Sequence, residues 1–440
     1  MVTRNRIKIL ERTAALAWQQ LLGKEMTTEE GARLTVIYPG RANGDNGPDF
    51  CDAVFVTNES DLVKGDVEVH VRSSDWYNHR HCDDPEYNNV ILHVVMRHDY
   101  GPDTLRQDGK SVPVLCLSRT AQRQACLMSC HQLPCFQIAK RIGRQFLGNL
   151  LRTAGEERFR RKASLFRARL QHERGGEVLF QSTMRALGYS KNIVPFEELA
   201  RRVPLNLIES IEPRESLVWK QAWLLGTAGL LPSQRSIGAL SPAEEIQELE
   251  QTWWLVKKEV GTMNECDWNF SHVYPNNFPV RRIIAQSHLL QRYCKRGLLE
   301  GVSQLLEKTP PTAGCNTLQD GLTVTVNGYW QDHFDFGAAG KTRRSALMGR
   351  GKASEIIVNA ILPFAFCWGE ATGESRLEKK AVAIYLSYPK LAENEITRHM
   401  AKQLGFEGTT GFMACQQQGL IHIFSSYCRE GRCAECMLIA

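Results

Sequence analysis

The chain has 440 residues, of which 43% are hydrophobic and 23% are charged. This composition excludes a disordered chain, and the length predicts two or three packed domains. No stretch approaches the roughly 20 uninterrupted apolar residues needed to cross a bilayer. The opening helical pattern has no cleavage site of small residues after it, so we expect a cytoplasmic protein whose 14 cysteines are mostly reduced.

The net charge of +6 is unevenly distributed. Residues 140–174 contain eleven Lys and Arg residues against three glutamates, which makes the rest of the chain slightly acidic. Helical spacing predicts that one side of this segment is buried through Phe159, Ala163, Phe166 and Leu170. Arginines on the opposite side are candidate phosphate contacts, namely Arg160, Arg161 and Arg167. A solvated helix face is the alternative.

In chain order, residues 5–23 predict a helix. Five β-type runs follow between turn-rich segments, and they read RLTVIY, DAVFVT, VEVHVR, VILHVVMR and SVPVLCL. Helical patterns dominate from 136 to 308, and again from about 346 to a terminal cysteine cluster. We therefore expect an α+β or α/β protein, with a small mixed β-sheet and flanking helices followed by mainly helical parts. The predicted domains are 1–120, 136–308 and 321–440.

Histidines are concentrated in one region of the predicted sheet. Five of the twelve fall within 29 consecutive residues, namely His70, His79, His81, His93 and His98. A strand over VEVHVR places Glu68, His70 and Arg72 on one face, with Asp66 beside them, while the intervening valines enter the core. Such a polar row is either solvent-exposed or part of a site.

The turn before this strand carries a second acidic residue. NGPDF at 46–50 and GDVEVH at 65–70 resemble the core signature of the PD-(D/E)XK nuclease superfamily, in which an aspartate and an acid-x-lysine triplet lie on neighbouring strands. The resemblance implies a restriction-endonuclease-like core in which Asp49 and Glu68 bind Mg²⁺ or Mn²⁺, the carbonyl of Val69 is a third ligand and Glu11 completes the set. His70 occupies the lysine position, and it can accept a proton but is not a permanent cation.

The segment after the strand allows three interpretations. Trp76, His79, His81 and Tyr87 are candidates to line a groove for a nucleic-acid backbone. Alternatively, a transition metal such as Zn²⁺ is bound by His70, His79, His81 and either Asp83 or Asp84. The third interpretation is a polar surface loop with hydrogen-bonded histidines, and His93, inside an apolar strand, fits that description.

The C-terminus contains a C-x4-C-x2-C run formed by Cys428, Cys433 and Cys436. Three thiols this close favour a metal, either Zn²⁺ or a [4Fe–4S] cluster, because the x2 pair chelates one ion from a tight turn. The candidates for a fourth ligand are Cys415, His422, Cys135 and Cys130. Reduced structural cysteines are the alternative.

Longer strings resemble an uncharacterised bacterial family known only as a domain of unknown function. They include GDVEVHVRSSDWYNHRH, ALGYSKNIVPFEELARRVP, NNFPVRRIIAQSHLL and YCREGRCAEC. This resemblance covers nearly the whole chain and implies a shared fold and site without implying an activity. Cys415 does not stand out in the family pattern, which lowers it as the fourth ligand.

These patterns together predict a metal-dependent nuclease that acts on DNA or RNA through Asp49, Glu68, His70 and Glu11. One alternative is a non-catalytic nucleic-acid-binding protein with a structural cysteine–metal site. The other is a metal-dependent hydrolase of a small molecule. Nucleic acid is the expected partner in the first two cases, and no membrane partner is expected.

Overall fold

The computed structural model describes residues 11, 13–44, 46–57, 61–117, 134–189, 191–212, 216–235, 243–257, 261–271, 273–311, 315–340, 346–406 and 408–439. The chain forms two compact units. Unit one comprises residues 1–154, 393–410 and 418–440, and unit two comprises 155–392 and 411–417. The predicted division at 1–120, 136–308 and 321–440 concerns parts that fold separately, and it stays a prediction.

Unit one is built on a seven-stranded mixed sheet. Its strands are β1 Glu25–Thr27, β2 Arg33–Tyr38, β3 Arg41–Ala42, β4 Phe50–Thr57, β5 Leu62–Arg72, β6 Val90–Arg97 and β9 Val114–Cys116. The order is β1-β2-β4-β5-β6-β9, with β3 paired to β4. Pairing is antiparallel from β1 to β5 and parallel from β5 to β9. The predicted mixed sheet is confirmed.

Four of the five predicted runs each lie in a single strand. The prediction of one continuous strand over the fifth run, SVPVLCL, is wrong. This run divides into β8 Ser111–Val112 and β9 at Pro113, and β8 pairs with β7 Thr104–Leu105 in a separate small hairpin. Proline has no backbone N–H to give to a ladder, which explains the break.

One face of the sheet is covered by the helix over 13–19. Ala14 and Trp18 are fully buried in a cluster with Val36, Phe55 and Val67 from the strands. The Trp18 ring meets Phe55 edge-on at 5.8 Å, and its indole Nε1 donates to the carbonyl of Pro39 at 2.9 Å. The helix that begins the described chain is thereby fixed against β2 and β4, as its apolar spacing predicts.

The connection between the parallel strands β5 and β6 carries most of the polar residues of interest. Three short helical turns form it, Asp75–Asn78, His81–Asp83 and Pro85–Tyr87. Parallel strands require a crossover of this length, because the chain must return to the same end of the sheet. The crossover places His79 and His81 beside β5.

The end of the chain also belongs to unit one. Its elements are the helix Glu395–Gln403, the π-helix Phe424–Cys428 and the 3-10 turn Cys433–Glu435. Ion pairs join this part to the sheet, from Arg41 to Glu395 at 2.6 Å and from Arg429 to Asp52 at 2.7 Å. Residues widely separated in sequence therefore form one folded unit.

Unit two is mainly helical, as the sequence predicts. The helix Pro134–Leu170 enters it from unit one, and the further helices are Gly175–Leu187, Ile193–Arg202, Leu205–Glu209, Ser216–Thr227, Glu244–Val256, Pro279–Tyr293, Leu298–Lys308, Cys315–Leu322, Tyr329–Asp332, Arg350–Ile356, Ile357–Ile361, Leu362–Thr372 and Ser375–Ser387. The helix Ala414–Ile423 belongs to unit two up to Gln417 and to unit one from Gln418 onward. Short strands lie among them, at Val324–Thr325, His333–Asp335, Ala338–Ala339 and Ala346–Met348. The predicted burial of Phe159, Ala163 and Phe166 is confirmed. Within the described residues, no helix is long and apolar enough to cross a membrane.

Candidate functional site

Two hydrogen bonds between side chain and backbone hold Asp49 and Glu68 beside each other. The N–H of Asp49 donates to Glu68 Oε2 at 3.0 Å, and the N–H of Val69 donates to Asp49 Oδ2 at 3.0 Å. Asp49 directly precedes β4, whose first residue, Phe50, pairs with Val67 of β5. This register brings the two carboxylates, which we call the acidic pair, to the same end of neighbouring antiparallel strands.

The acidic pair lies in a cleft of about 660 Å³. Seven further residues of the sequence prediction line it with the pair, namely Glu11, Val69, His70, His79, His81, Asp84 and Tyr87. Glu11 lies just before the helix over 13–19 that covers the sheet. Its negative charge raises the pKa of both Asp49 and Glu68. The predicted set of Asp49, Glu68, His70 and Glu11 therefore meets in one place.

The imidazoles of His70, His79 and His81 form a compact group, which we call the histidine set. Their ring nitrogens include one ligand atom each that lies within 4.8 Å of the other two. His70 Nε2 is 3.1 Å from His79 Nδ1, and both His70 Nε2 and His81 Nε2 are 3.3 Å from Glu68 Oε1. The histidine set and the acidic pair are therefore continuous through Glu68.

The buried rings of His93 and Tyr87 pack against the histidine set. His70 Nδ1 is 2.9 Å from His93 Nε2, and His93 is completely buried. The ring of His81 stacks on Tyr87 with centroids 3.8 Å apart. These contacts fix the rotamers of His70 and His81, while His79 stays exposed at the rim of the cleft.

Burial and mutual repulsion disfavour charge on the acidic pair. Burial raises the pKa of Asp49 to about 7, and the neighbouring charges of Glu68 and Glu11 add to this effect against the opposing N–H of Val69. Burial likewise raises the pKa of Glu68 to about 8, with a further contribution from Glu11. A cation in the cleft would favour the ionised carboxylates.

The imidazoles of His70, His81 and His93 are held neutral for the same physical reason. Burial lowers the pKa of His81 to about 4 and that of His93 to about 3. Burial also lowers the pKa of His70 well below its ordinary value, and the adjacent imidazoles of His93, His81 and His79 lower it further. Neutral imidazoles carry lone pairs that can bind a metal or accept a proton.

Other predicted residues lie outside the cleft. Trp76 is fully buried with its Nε1 donating to the carbonyl of Leu105, so its ring supports His81 and His93 rather than facing solvent. Asp83 pairs with Arg80 on the surface, whereas Asp84 lines the cleft. Asp66 accepts from the N–H of Asp52 and from Asn89. The polar residues on β5 therefore do not all belong to the site. Glu68 and His70 are buried in the cleft, whereas Asp66 lies outside it.

The candidate phosphate contacts lie in unit two. Arg160, Arg161 and Arg167 are exposed on the helix Pro134–Leu170, and Arg167 pairs with Glu370. Sequence reasoning missed Asn46 and Glu86, which also line the cleft. Their positions beside the NGPDF turn and within the DPEYNN string were the available signals.

Four cysteines of unit one surround a small cavity, and we call them the thiol cluster, which consists of Cys135, Cys428, Cys433 and Cys436. Cys415 belongs to unit two, where it lies against Gly155. Burial, with a smaller contribution from the neighbouring Cys135 and Cys433, raises the pKa of Cys436 to about 11. Cys130 lies outside the described residues.

These observations describe a mixed α+β protein with a buried carboxylate–imidazole cleft and a separate group of thiols. The chain matches, over residues 11–394, the family described as protein of unknown function (DUF2851), and it belongs to that family. No curated protein and no solved structure matches the chain significantly.

Proposed function

We propose that the protein is a metal-dependent nuclease that hydrolyses phosphodiester bonds of DNA or RNA in the cleft of unit one. The observation that carries the proposal is the convergence of Glu11, Asp49 and Glu68 in one cleft. These are the three acidic positions that the resemblance to the PD-(D/E)XK nucleases implies. Support for a restriction-endonuclease-like core comes from this placement on a mixed sheet.

The residues of the cleft fit a divalent cation. Two carboxylates with raised pKa values, and a third beside them, form a site that a cation would stabilise. His81 Nε2 is buried without a hydrogen-bond partner, although it lies only 3.3 Å from Glu68 Oε1. An orphaned nitrogen facing a carboxylate is suited to share a metal with it.

In this proposal Asp49 and Glu68 hold Mg²⁺ or Mn²⁺, which would polarise the phosphate and lower the pKa of the attacking water. His70 occupies the position of the superfamily's lysine. Burial keeps His70 neutral and makes it a weak base, so its imidazole would act by accepting a hydrogen bond from the attacking water, directly or through His79. It does not supply the lysine's fixed positive charge, and that role falls to the metal alone.

The first test is Glu68→Gln. The amide oxygen can still accept from the N–H of Asp49, so the strand pairing should persist while the ligand charge is lost. We expect cleavage of labelled DNA or RNA with Mn²⁺ to fall at least about 100-fold. Asp66→Asn is the matched control, because Asp66 lies on the same strand outside the cleft.

Two outcomes would contradict the proposal. Unchanged cleavage in Glu68→Gln would exclude this cleft as the catalytic site. Salt-sensitive binding of nucleic acid, without divalent-dependent cleavage in the unaltered protein and unchanged in Glu68→Gln, would instead support a non-catalytic binding protein.

A second candidate function, hydrolysis of a small molecule by a transition metal, is favoured by the histidine set. Imidazole suits Zn²⁺ and similar ions better than Mg²⁺. Charge reversal separates the candidates, because a nuclease that uses the helix to hold a long substrate should lose at least about tenfold in nucleic-acid affinity when three arginines become Glu. The reversed residues are Arg160, Arg161 and Arg167.

A control with the same change in net charge uses three exposed cations elsewhere in unit two, Lys295, Arg376 and Lys379. Hydrolysis of a small phosphodiester such as bis(p-nitrophenyl) phosphate should be unaffected by either triple change. If nucleic-acid affinity falls equally in both, the helix has no specific role. If it is unchanged in both, the small-molecule candidate gains ground over the nuclease.

A further inference from the structure

We infer that the thiol cluster is a metal centre with four thiolate ligands, separate from the cleft and independent of the proposed function. Its members come from opposite parts of the chain. Cys135 lies at the start of the helix Pro134–Leu170, whereas the other three lie within the last residues. All four are free thiols. Four free cysteines seldom meet around one cavity by packing alone, and four is the number that Zn²⁺ or a [4Fe–4S] cluster requires.

The local backbone places each thiol toward this cavity. Cys428 ends the π-helix Phe424–Cys428, and Cys433 begins a 3-10 turn that delivers Cys436 immediately afterwards. A π-helical turn rotates the residues that follow relative to a regular helix, and such turns recur at functional sites. Three aliphatic side chains, those of Ile423, Leu438 and Ile439, line the cavity together with Tyr38, Tyr427 and Gln403.

A hydrogen-bond donor lies between two of the sulfurs. Gln403 Nε2 is 3.4 Å from Cys135 Sγ and 3.8 Å from Cys428 Sγ. Donors directed at thiolate sulfur stabilise its negative charge and tune a bound metal. The cluster therefore has ligands, an apolar enclosure and a donor, which together constitute a built site.

The sulfur spacing bears on which metal is bound. Among the described residues, only the histidine set has three metal-binding side chains whose ligand atoms all lie within 4.8 Å of one another. Sulfurs around one Zn²⁺ lie about 3.8 Å apart, given Zn–S bonds of about 2.3 Å. No three of the four sulfurs therefore lie as close together as the sulfurs around a bound zinc. An iron–sulfur cluster spans a wider gap, so both metals are tested.

The experiment measures metal and acid-labile sulfide in the full-length protein after anaerobic purification. We expect either one zinc, or four iron and four sulfide with a brown colour, per chain. The metal content per chain of the double variant Cys433→Ser/Cys436→Ser should be at least about tenfold lower than that of the unaltered protein. Cys116→Ser is the matched control, because Cys116 is a buried thiol of unit one outside the cluster.

Metal in the cleft must be counted separately, so all variants are also prepared with Glu68→Gln and His79→Gln. A second measurement tests the inference even if the double variant does not fold. The unaltered protein is stripped of metal with a chelator, and we expect its melting temperature to fall and to recover when zinc, or iron with sulfide, is restored. No metal in the unaltered protein, equal metal in the double variant, or disulfides between these cysteines by mass would overturn the inference.

Discussion

His399 is a partly buried base on the helix Glu395–Gln403, where that helix packs on the sheet of unit one. Its Nε2 contacts the hydroxyl of Tyr38, its ring packs on Phe424, and Arg41, Lys402 and Gln403 face it. Burial, together with the charges of Arg41 and Lys402, lowers its pKa from 6.5 to about 4, and the hydrogen bond with Gln403 opposes this shift. The folded protein therefore holds this imidazole neutral at pH values where the unfolded chain protonates it.

This depressed pKa predicts a loss of stability in mild acid. The contribution of His399 is fully present above pH 6.5 and is lost as the pH falls toward about 4, because only the unfolded chain takes up the proton across that window. The maximum effect is about 3 kcal/mol for a shift of this size. Denaturant unfolding at pH 7 and pH 5 crosses part of this window and should show about 2 kcal/mol of the effect.

The matched variant is His399→Gln, which keeps a hydrogen-bonding group beside Tyr38 but does not titrate. We expect its free energy of unfolding to depend less steeply on pH between 6.5 and 4 than that of the unaltered protein. Parallel pH profiles would show that His399 does not carry this dependence. Some slope should remain, since His81 and His93 also have lowered pKa values.

At the scale of elements, β5 and β6 approach closely at Gly65. A Cβ atom there would lie 2.5 Å from Ile91 Cγ2 and 2.6 Å from the carbonyl oxygen of Asn89. That carbonyl also accepts from the N–H of Asp66 at 2.9 Å, so it cannot withdraw without losing a ladder hydrogen bond. A side chain at position 65 would push the two parallel strands apart.

Gly65→Ala should therefore destabilise the fold by about 1–3 kcal/mol, which is typical of overpacking. Gly44→Ala is the control, because a Cβ at that position meets no atom within 4 Å. Denaturant unfolding of the two variants gives the comparison. Equal stability would contradict the argument. Since Glu68 lies three residues further along β5, Gly65→Ala should also weaken the metal binding that we propose for the cleft.

Sequence patterns predicted the strands well because period-two alternation reports burial directly. Val67 and Val69 enter the core as the alternation requires, and the approach of Asp49 to Glu68 follows from two neighbouring strands. The pattern could not predict that Glu68 and His70 are buried, because their cover comes from the crossover. The tertiary contacts of Trp76 and Tyr87 decide that cover, and local spacing does not encode them.

At the scale of the whole molecule, the sequence could not predict which distant segments share a unit. The C-x4-C-x2-C spacing identified three thiols, yet the choice among Cys135, Cys415 and Cys130 depended on long-range contacts. The division of the chain places Cys135 with the last residues and Cys415 in unit two. Ion pairs such as Arg429 with Asp52 join segments that no local pattern relates.

The final segment should therefore stabilise the sheet of unit one. Leu438 is buried near the C-terminus, and Gly431 lies against Val54 of β4 and Leu62 of β5. Leu438→Ala removes buried apolar surface but leaves all four thiols. Because Leu438 also lines the cavity of the thiol cluster, the metal content of the variant is measured together with its stability. We expect a loss of about 2 kcal/mol. Native-state hydrogen exchange should show reduced protection in β4 and β5, with the helix Pro279–Tyr293 of unit two as the internal reference, because that helix lies in a different compact unit. Reduced protection confined to unit two, or no change in β4 and β5, would mean that the terminal segment does not support the sheet on which the acidic pair is placed.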